Sequence, residues 1–279
     1  MLAVDQAAGL RALVDAGCPK TVPAQAGAAS RVLAIASGKR GVGKTTVAVN
    51  LAIALAQAGQ RTLLCDADTG LANVDVLMGL SPCRRLDQAV GHDLSLADLV
   101  TEGPAGVMVV PGASGAAGLA DMSEGLRRRL ASAARSVGGD CDTVLVDTAA
   151  GISRNVIDFL LQADEVVLVT TPEPTALGDA YALAKVASAE RDGLPFRLVV
   201  NQAESAAEAR AAATRLVRTA AEFLGLAIKW WGYLPRHDHV PRAIRRRVPL
   251  VLAYPDSPVA RCFEQLARTI SPCGAGEVV

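Results

Sequence analysis

At 279 residues with 51% hydrophobic content, the chain is long enough to bury a sizeable core, and its size suits one large α/β domain without requiring two. Its 28 basic and 28 acidic residues give a formal net charge of zero, which removes any global electrostatic case for a nucleic-acid or membrane partner and leaves only local patches. Six widely scattered cysteines form no C-x-x-C pair, so a zinc knuckle, a dithiol redox motif and a shared metal cluster have no ligand set, and the thiols read as reduced and cytosolic.

Ala3, Ala7, Leu10 and Val14 recur at helical spacing, which predicts a short N-terminal helix over residues 1–17. Asp5 and Asp15 and the lack of an apolar h-region argue against a secretory signal, and a cytoplasmic location is expected. Residues 18–30, rich in alanine with two prolines and a glycine, show no apolar period and read as a flexible linker. The longest uncharged stretch, residues 103–120, contains five glycines and two prolines and could not cross a bilayer as a regular helix.

From Arg31 onward strands and helices alternate, as in a mostly parallel sheet covered by helices on both faces, so a single P-loop domain is expected over 31–279. Predicted strands are Val32–Ala36, Thr62–Asp66, Val107–Val110, Thr143–Asp147, Glu165–Thr170, Phe196–Asn201 and Ile228–Tyr233. Predicted helices are Thr45–Ala58, Met122–Ser136, Arg154–Gln162, Ala176–Glu190, Ala206–Leu224 and Ser257–Thr269.

Between the first strand and the first of these helices runs Gly38-Lys39-Arg40-Gly41-Val42-Gly43-Lys44-Thr45-Thr46, of which Gly38 to Thr45 fits G-x-x-x-x-G-K-[ST]. In that pattern backbone N–H groups wrap a polyphosphate, Lys44 reaches its β/γ oxygens and the Thr45 hydroxyl can hold Mg²⁺. Strand, loop and helix N-terminus together point unpaired N–H groups at an anion. The dinucleotide fingerprint fails, because it needs a third glycine where Thr46 stands. Lys39 is surplus to this cradle, since Lys44 already supplies the phosphate charge.

Three acids follow strands, where an open α/β sheet gathers its ligands. Asp147 ends the apolar run from Thr143 and can hold Mg²⁺ directly or through water; Asp66 and Asp68 follow the second strand and would point the same way in an alternating backbone, or could cap a helix over 72–78. Asn201 ends a later strand and is either a base contact or a turn residue. Arg242, Arg245, Arg246 and Arg247 form a basic cluster that could touch anionic lipid or nucleic acid, or simply be a solvated helix face.

With Lys39 beside its P-loop, the chain resembles the deviant Walker A ATPases, the family of MinD, ParA and the nitrogenase iron protein. The resemblance implies that Lys39 reaches across an ATP-dependent homodimer to the nucleotide of the other subunit, that Asp66 joins Thr45 and Asp147 in the Mg²⁺ shell, and that Asp68 positions the attacking water. It also implies that the Gly151 N–H meets the γ-phosphate and Asn201 meets adenine, with Gly38 to Thr46 around the phosphates. Members usually carry glycine where this chain has Arg40, so a left-handed backbone there would strain Arg40. The strings from Asp66 to Leu80, Asp147 to Ser153 and Pro172 to Thr175 are similar to those of the FlhG (FleN, YlxH) group, which regulates flagellar number and placement. Asp5, Gln6, Leu10 and Arg11 match that group's D-Q-A-x-x-L-R segment, which implies a helix that docks on the GTPase FlhF and stimulates it through the glutamine. Further partners implied are a flagellar transcription regulator or switch component. The last nine residues carry no basic amphipathic helix, so only weak, peripheral membrane or polar association is expected, and no specific nucleic acid. A MinD- or ParA-type ATPase positioning division sites or DNA, a metal-cluster scaffold of the same fold and an unrelated P-loop enzyme are the other readings.

Overall fold

Strands that are apolar on both faces can only be satisfied inside a parallel sheet roofed on each side, and the first strand here has that character. The computed structural model of the protein describes residues 30–68, 72–86, 96–113 and 141–270. The predicted N-terminal helix with Asp5, Gln6, Leu10 and Arg11, the linker up to residue 29, the helix predicted at Met122–Ser136 and the tail at 271–279 lie outside the described residues.

One eight-stranded sheet runs in the order β3-β4-β2-β5-β1-β6-β7-β8. Its strands are β1 (Arg31–Ser37), β2 (Thr62–Ala67), β3 (Thr101–Glu102), β4 (Met108–Val110), β5 (Thr143–Ala150), β6 (Glu165–Thr170), β7 (Phe196–Ala203) and β8 (Ile228–Pro235). All pairings are parallel except β3 with β4. The central β1 lies between β5 and β6. The β1 side chains divide by pleat: Val32, Ala34 and Ala36 enter one core and Leu33 and Ile35 the other.

The first core is roofed by α3 (Arg154–Gln162), α4 (Pro174–Glu190) and α5 (Ala206–Leu224), which bury Leu160, Leu183 and Leu216 among their apolar residues. α5 is closed at its start by the Ser205 hydroxyl, which accepts from the Glu208 N–H, and at its end by Gly225 in the left-handed conformation. The second core is roofed by α1 (Lys44–Gln57) and α8 (Pro258–Ile270), with the short α2 (Val74–Met78), α6 (His239–Arg246) and α7 (Leu250–Ala253) at its rim. Asn50, buried in α1, accepts from the Val251 N–H at 3.0 Å and donates to the Thr46 carbonyl at 2.8 Å, fastening α7 to the phosphate-loop helix.

All seven predicted strands overlap observed ones, and β5, β7 and β8 run on to Ala150, Ala203 and Pro235 beyond their expected ends at Asp147, Asn201 and Tyr233. The two-residue β3 is too short to leave a period in the sequence. α6 was anticipated only as a helix face carrying the arginine cluster and α7 not at all: each buries at most two residues, so neither writes an apolar stripe.

Candidate nucleotide and magnesium site

The C-terminal ends of β1, β2 and β5 bring the phosphate loop and the strand-end acids to one edge of the sheet. The loop turns on glycines: Gly41 has φ 83° and Gly43 φ 86°, and Gly43 is the residue from which α1 starts. A Cβ at Gly43 would run into the Asn201 amide, and one at Gly38 into the Asp179 carbonyl of α4. No side chain caps α1, so its first N–H groups face the loop, as an anion-binding helix N-terminus requires. Arg40 is exposed and has no positive φ, so the strain expected of a non-glycine residue there does not arise.

The Lys44 ammonium reaches Asp147 Oδ1 at 2.5 Å, with the two side chains only 7% and 1% exposed. Asp147 Oδ2 is buried without a hydrogen-bond partner. Asp66, next to it across the β2–β5 ladder, accepts from the Asp68 N–H on Oδ1 at 3.1 Å and from the Asn73 and Val74 N–H groups on Oδ2 at 3.0 and 3.1 Å. Burial pushes the Asp66 carboxyl up to about 7, the Asp147 charge adds to the rise, and the Val74 and Asp68 N–H groups and Lys44 oppose it. Asp147 is raised as well, chiefly by burial, with Lys44 and the Thr45 hydroxyl pulling it down and Asp68 pushing it up. Two buried carboxylates and a hydroxyl against one lysine thus lack positive charge, and the orphaned Asp147 oxygen lacks a ligand. Both deficits fit Mg²⁺, which is commonly held by one or two carboxylates plus substrate phosphates. Among the described residues no group of three or more His, Cys, Asp or Glu could hold a metal by itself. Gly112, after β4, presses on this arrangement, since a Cβ there would come within 2.9 Å of Asp66 Cγ.

Lys39 points away from this cradle. Its ammonium donates to Glu173 Oε2 and Thr175 Oγ1, each at 2.9 Å, on the turn that opens α4. The Gly151 N–H, at φ 100°, donates to the Ser37 carbonyl, and the Thr148 hydroxyl to the Ile35 carbonyl, so the end of β5 is pinned to β1. Asn201 donates to the Val42 carbonyl at 2.7 Å and accepts from the Gln202 N–H, while Gln202, at φ 59°, reaches the Gly41 carbonyl. This buttress, the Gly112 contact and the Glu173–Thr175 seat are contacts that the sequence does not reveal; the string Pro172 to Thr175 was the one visible signal.

Cys65, between these acids, is buried, and burial followed by the charges of Asp66 and Asp147 pushes its thiol up to about 12, which makes it a core residue and not a nucleophile. No helix among the described residues is long and apolar enough to cross a membrane.

Residues 33–250 match the family described as the CobQ/CobB/MinD/ParA nucleotide binding domain. The chain is 39% identical over 240 residues to the antiactivator FleN of Pseudomonas aeruginosa, covering 86% of each protein. It is 33% identical to the flagellum site-determining protein YlxH of Helicobacter pylori, over 85% of this chain and 81% of that one. In three dimensions it superposes on the septum site-determining protein MinD of Pyrococcus horikoshii, a complex with Mg-ADP, with a TM-score of 0.74 at 25% identity, over 87% of this chain and 96% of that one. A phosphate loop, two buried strand-end carboxylates and these similarities place the chain in the CobQ/CobB/MinD/ParA nucleotide-binding family, and within it in the group of FleN and YlxH.

Proposed function

We propose that this ATPase works as an ATP-driven dimerisation switch in the control of flagellar number or placement, and that its N-terminal helix stimulates the GTPase FlhF. The observation that carries the switch is the position of Lys39. Lys44 already occupies the phosphate cradle, whereas Lys39 is seated outside it on an exposed glutamate and a threonine. An exposed ion pair contributes roughly 0.2–1 kcal/mol, so releasing Lys39 toward the nucleotide of a second subunit is cheap.

Within one subunit, the N–H groups of the loop from Gly38 to Thr46 bind the phosphates, and Lys44 leaves Asp147 to neutralise them. Thr45, Asp66 and Asp147 would hold Mg²⁺, whose charge would stabilise the phosphate oxygens as the bond to the leaving group lengthens. Asp68, on the backbone that bonds Asp66, orients the attacking water. Alignment and charge neutralisation are most of what a loose phosphoryl-transfer transition state needs. Asn201 supports the loop and carries the adenine contact, and the Gly151 N–H exchanges the Ser37 carbonyl for the γ-phosphate. Gln6, beyond the linker, acts on FlhF.

Size-exclusion chromatography with light scattering tests the switch. The Asp68→Ala protein with ATP and Mg²⁺ is expected to run as a dimer and with ADP as a monomer, and to bind ATP without turning it over. A monomer under saturating ATP would refute the switch, and wild-type hydrolysis by Asp68→Ala would refute the role of Asp68.

A further inference from the structure

The arginines at 242, 245, 246 and 247 take no part in the phosphate site. α6, which carries the first three, buries only Ala243, so the core does not ask for this helix. Between α6, α2 and the first turns of α1 lies a shallow crevice, with room for little more than a water molecule, whose apolar lining includes Val49, Leu77, Val240, Ile244 and Val248. Ile244 is 41% exposed, and Val76, beside Leu77 on α2, is 44% exposed. The two helices meet at their ends. Gly79 caps α2 and Arg247 caps α6, both left-handed, and a Cβ on Gly79 would lie 2.8 Å from the Arg247 carbonyl oxygen.

The charges on α6 and at its cap are unbalanced. Among the described residues Arg242 pairs with Asp238, at 3.8 Å and largely exposed, and Arg246 lies over the Tyr254 ring. Arg245 and Arg247 make no ion pair among the described residues. Compensation of the helix dipole accounts for Arg245 and Arg246 in the last turn. It does not account for Arg247, which sits one residue beyond at φ 52°, a conformation strained for a side-chain-bearing residue and one that glycine adopts freely. Nor does it account for an exposed isoleucine in the same turn.

We propose that the α2–α6 crevice docks an acidic amphipathic segment of a partner protein, with an apolar side chain against Ile244 and Leu77 and carboxylates on Arg245 and Arg247. Guanidinium groups pair with carboxylates through two parallel hydrogen bonds. A membrane surface fits less well, because the apolar element is recessed between helices and carries no aromatic side chain to enter the headgroup layer. The docked segment also senses the nucleotide site, since the first N–H of α2, on Val74, and that of Asn73 both hang on Asp66 Oδ2. This coupling rests on the assignment of Asp66 to the Mg²⁺ shell; the docking itself does not.

Fluorescence anisotropy of the full chain with a labelled Leu/Glu helical peptide tests the proposal, with a Gln-for-Glu peptide, a Ser-for-Leu peptide, phosphatidylglycerol-containing vesicles and duplex DNA as the other arms. The Leu/Glu peptide is expected to bind, both altered peptides to bind weakly, and Arg245→Ala with Arg247→Gly to lose about tenfold in affinity per guanidinium. Arg247→Gly alone should melt no lower than wild type, because glycine suits the left-handed cap, and yet bind more weakly. Retained affinity in the double variant, failure of the Leu/Glu peptide to bind, or binding confined to vesicles or DNA would overturn the docking site. Equal peptide affinity with and without ATP and Mg²⁺, in a protein that binds ATP, would overturn the coupling alone.

Discussion

Substituting Lys44 by alanine is usually designed to remove nucleotide binding, but here it should also destabilise the nucleotide-free protein. Lys44 is the cation paired with Asp147 and close enough to the adjacent, buried Asp66 to lower it, and Asp147 already has one oxygen without a partner. Removing one member of a buried pair costs about 3–5 kcal/mol, because the remaining charge is left uncompensated. The pH dependence follows from the direction of the shifts. Asp66 is raised to about 7 and Asp147 is raised too, so between the unfolded carboxylate range and the folded values the native state binds more protons than the unfolded chain. Stability therefore falls as pH rises through that window. Loss of Lys44 removes an effect that lowers both groups, which deepens the fall and carries it to higher pH. At about pH 8 the Lys44→Ala protein should be weaker by the full 3–5 kcal/mol. At about pH 5, below the Asp66 value and with Asp147 freed of the charge that lowered it, the deficit should shrink toward the roughly 1 kcal/mol of an ordinary substitution. With a urea m-value of about 2 kcal/mol/M, the midpoint at the higher pH drops by about 2 M. Urea melts of both proteins at both pH values, without nucleotide, read this out. Equal midpoints at the higher pH, or a deficit independent of pH, would refute the reasoning.

Gly38→Ala should disable ATP binding more severely than its single methyl suggests, because the Cβ would overlap the Asp179 carbonyl and must push the phosphate loop off α4. Isothermal titration calorimetry should register at least a tenfold loss, and Asp179→Ala should not restore it, since the clash is with backbone. A peptide of residues 1–17 should stimulate GTP hydrolysis by FlhF, and its Gln6→Ala form should not, because an amide can both donate and accept while orienting a water. Equal stimulation by the two peptides would leave Gln6 only a docking role.

The sheet was legible because its strands are apolar runs, and α3 and α5 because each carries an apolar stripe. α3 and α5 coincide with their predicted ranges, and Ser205 and Gly225 bracket α5 as capping chemistry demands. The site was legible as far as it is local, in the loop between β1 and α1 and in acids that end strands. What could not be read is non-local. Lys39 meets Glu173 across 134 positions and Asn201 meets Val42 across 159, and neither residue type announces its partner. The left-handed geometry expected at position 40 is found instead at Gly41 and Gly43, so Arg40 is tolerated. α6 was legible only as a solvated helix face for its arginines, because a helix that buries Ala243 alone writes no apolar stripe to fix its bounds.

The central position of β1 sets the order of events during synthesis. Ile35 emerges from the ribosome with neither neighbour available, and the Thr148 hydroxyl that closes onto its carbonyl follows 113 residues later. At about 5–20 residues per second that interval is roughly 6–23 s, far longer than hydrophobic collapse of a chain this size. A nascent fragment ending before β5 therefore carries β1 and β2 as apolar strands that are not paired with each other, since β5 lies between them. Such a fragment presents open strand edges that invite pairing with other chains until β5 emerges to fill the gap between them.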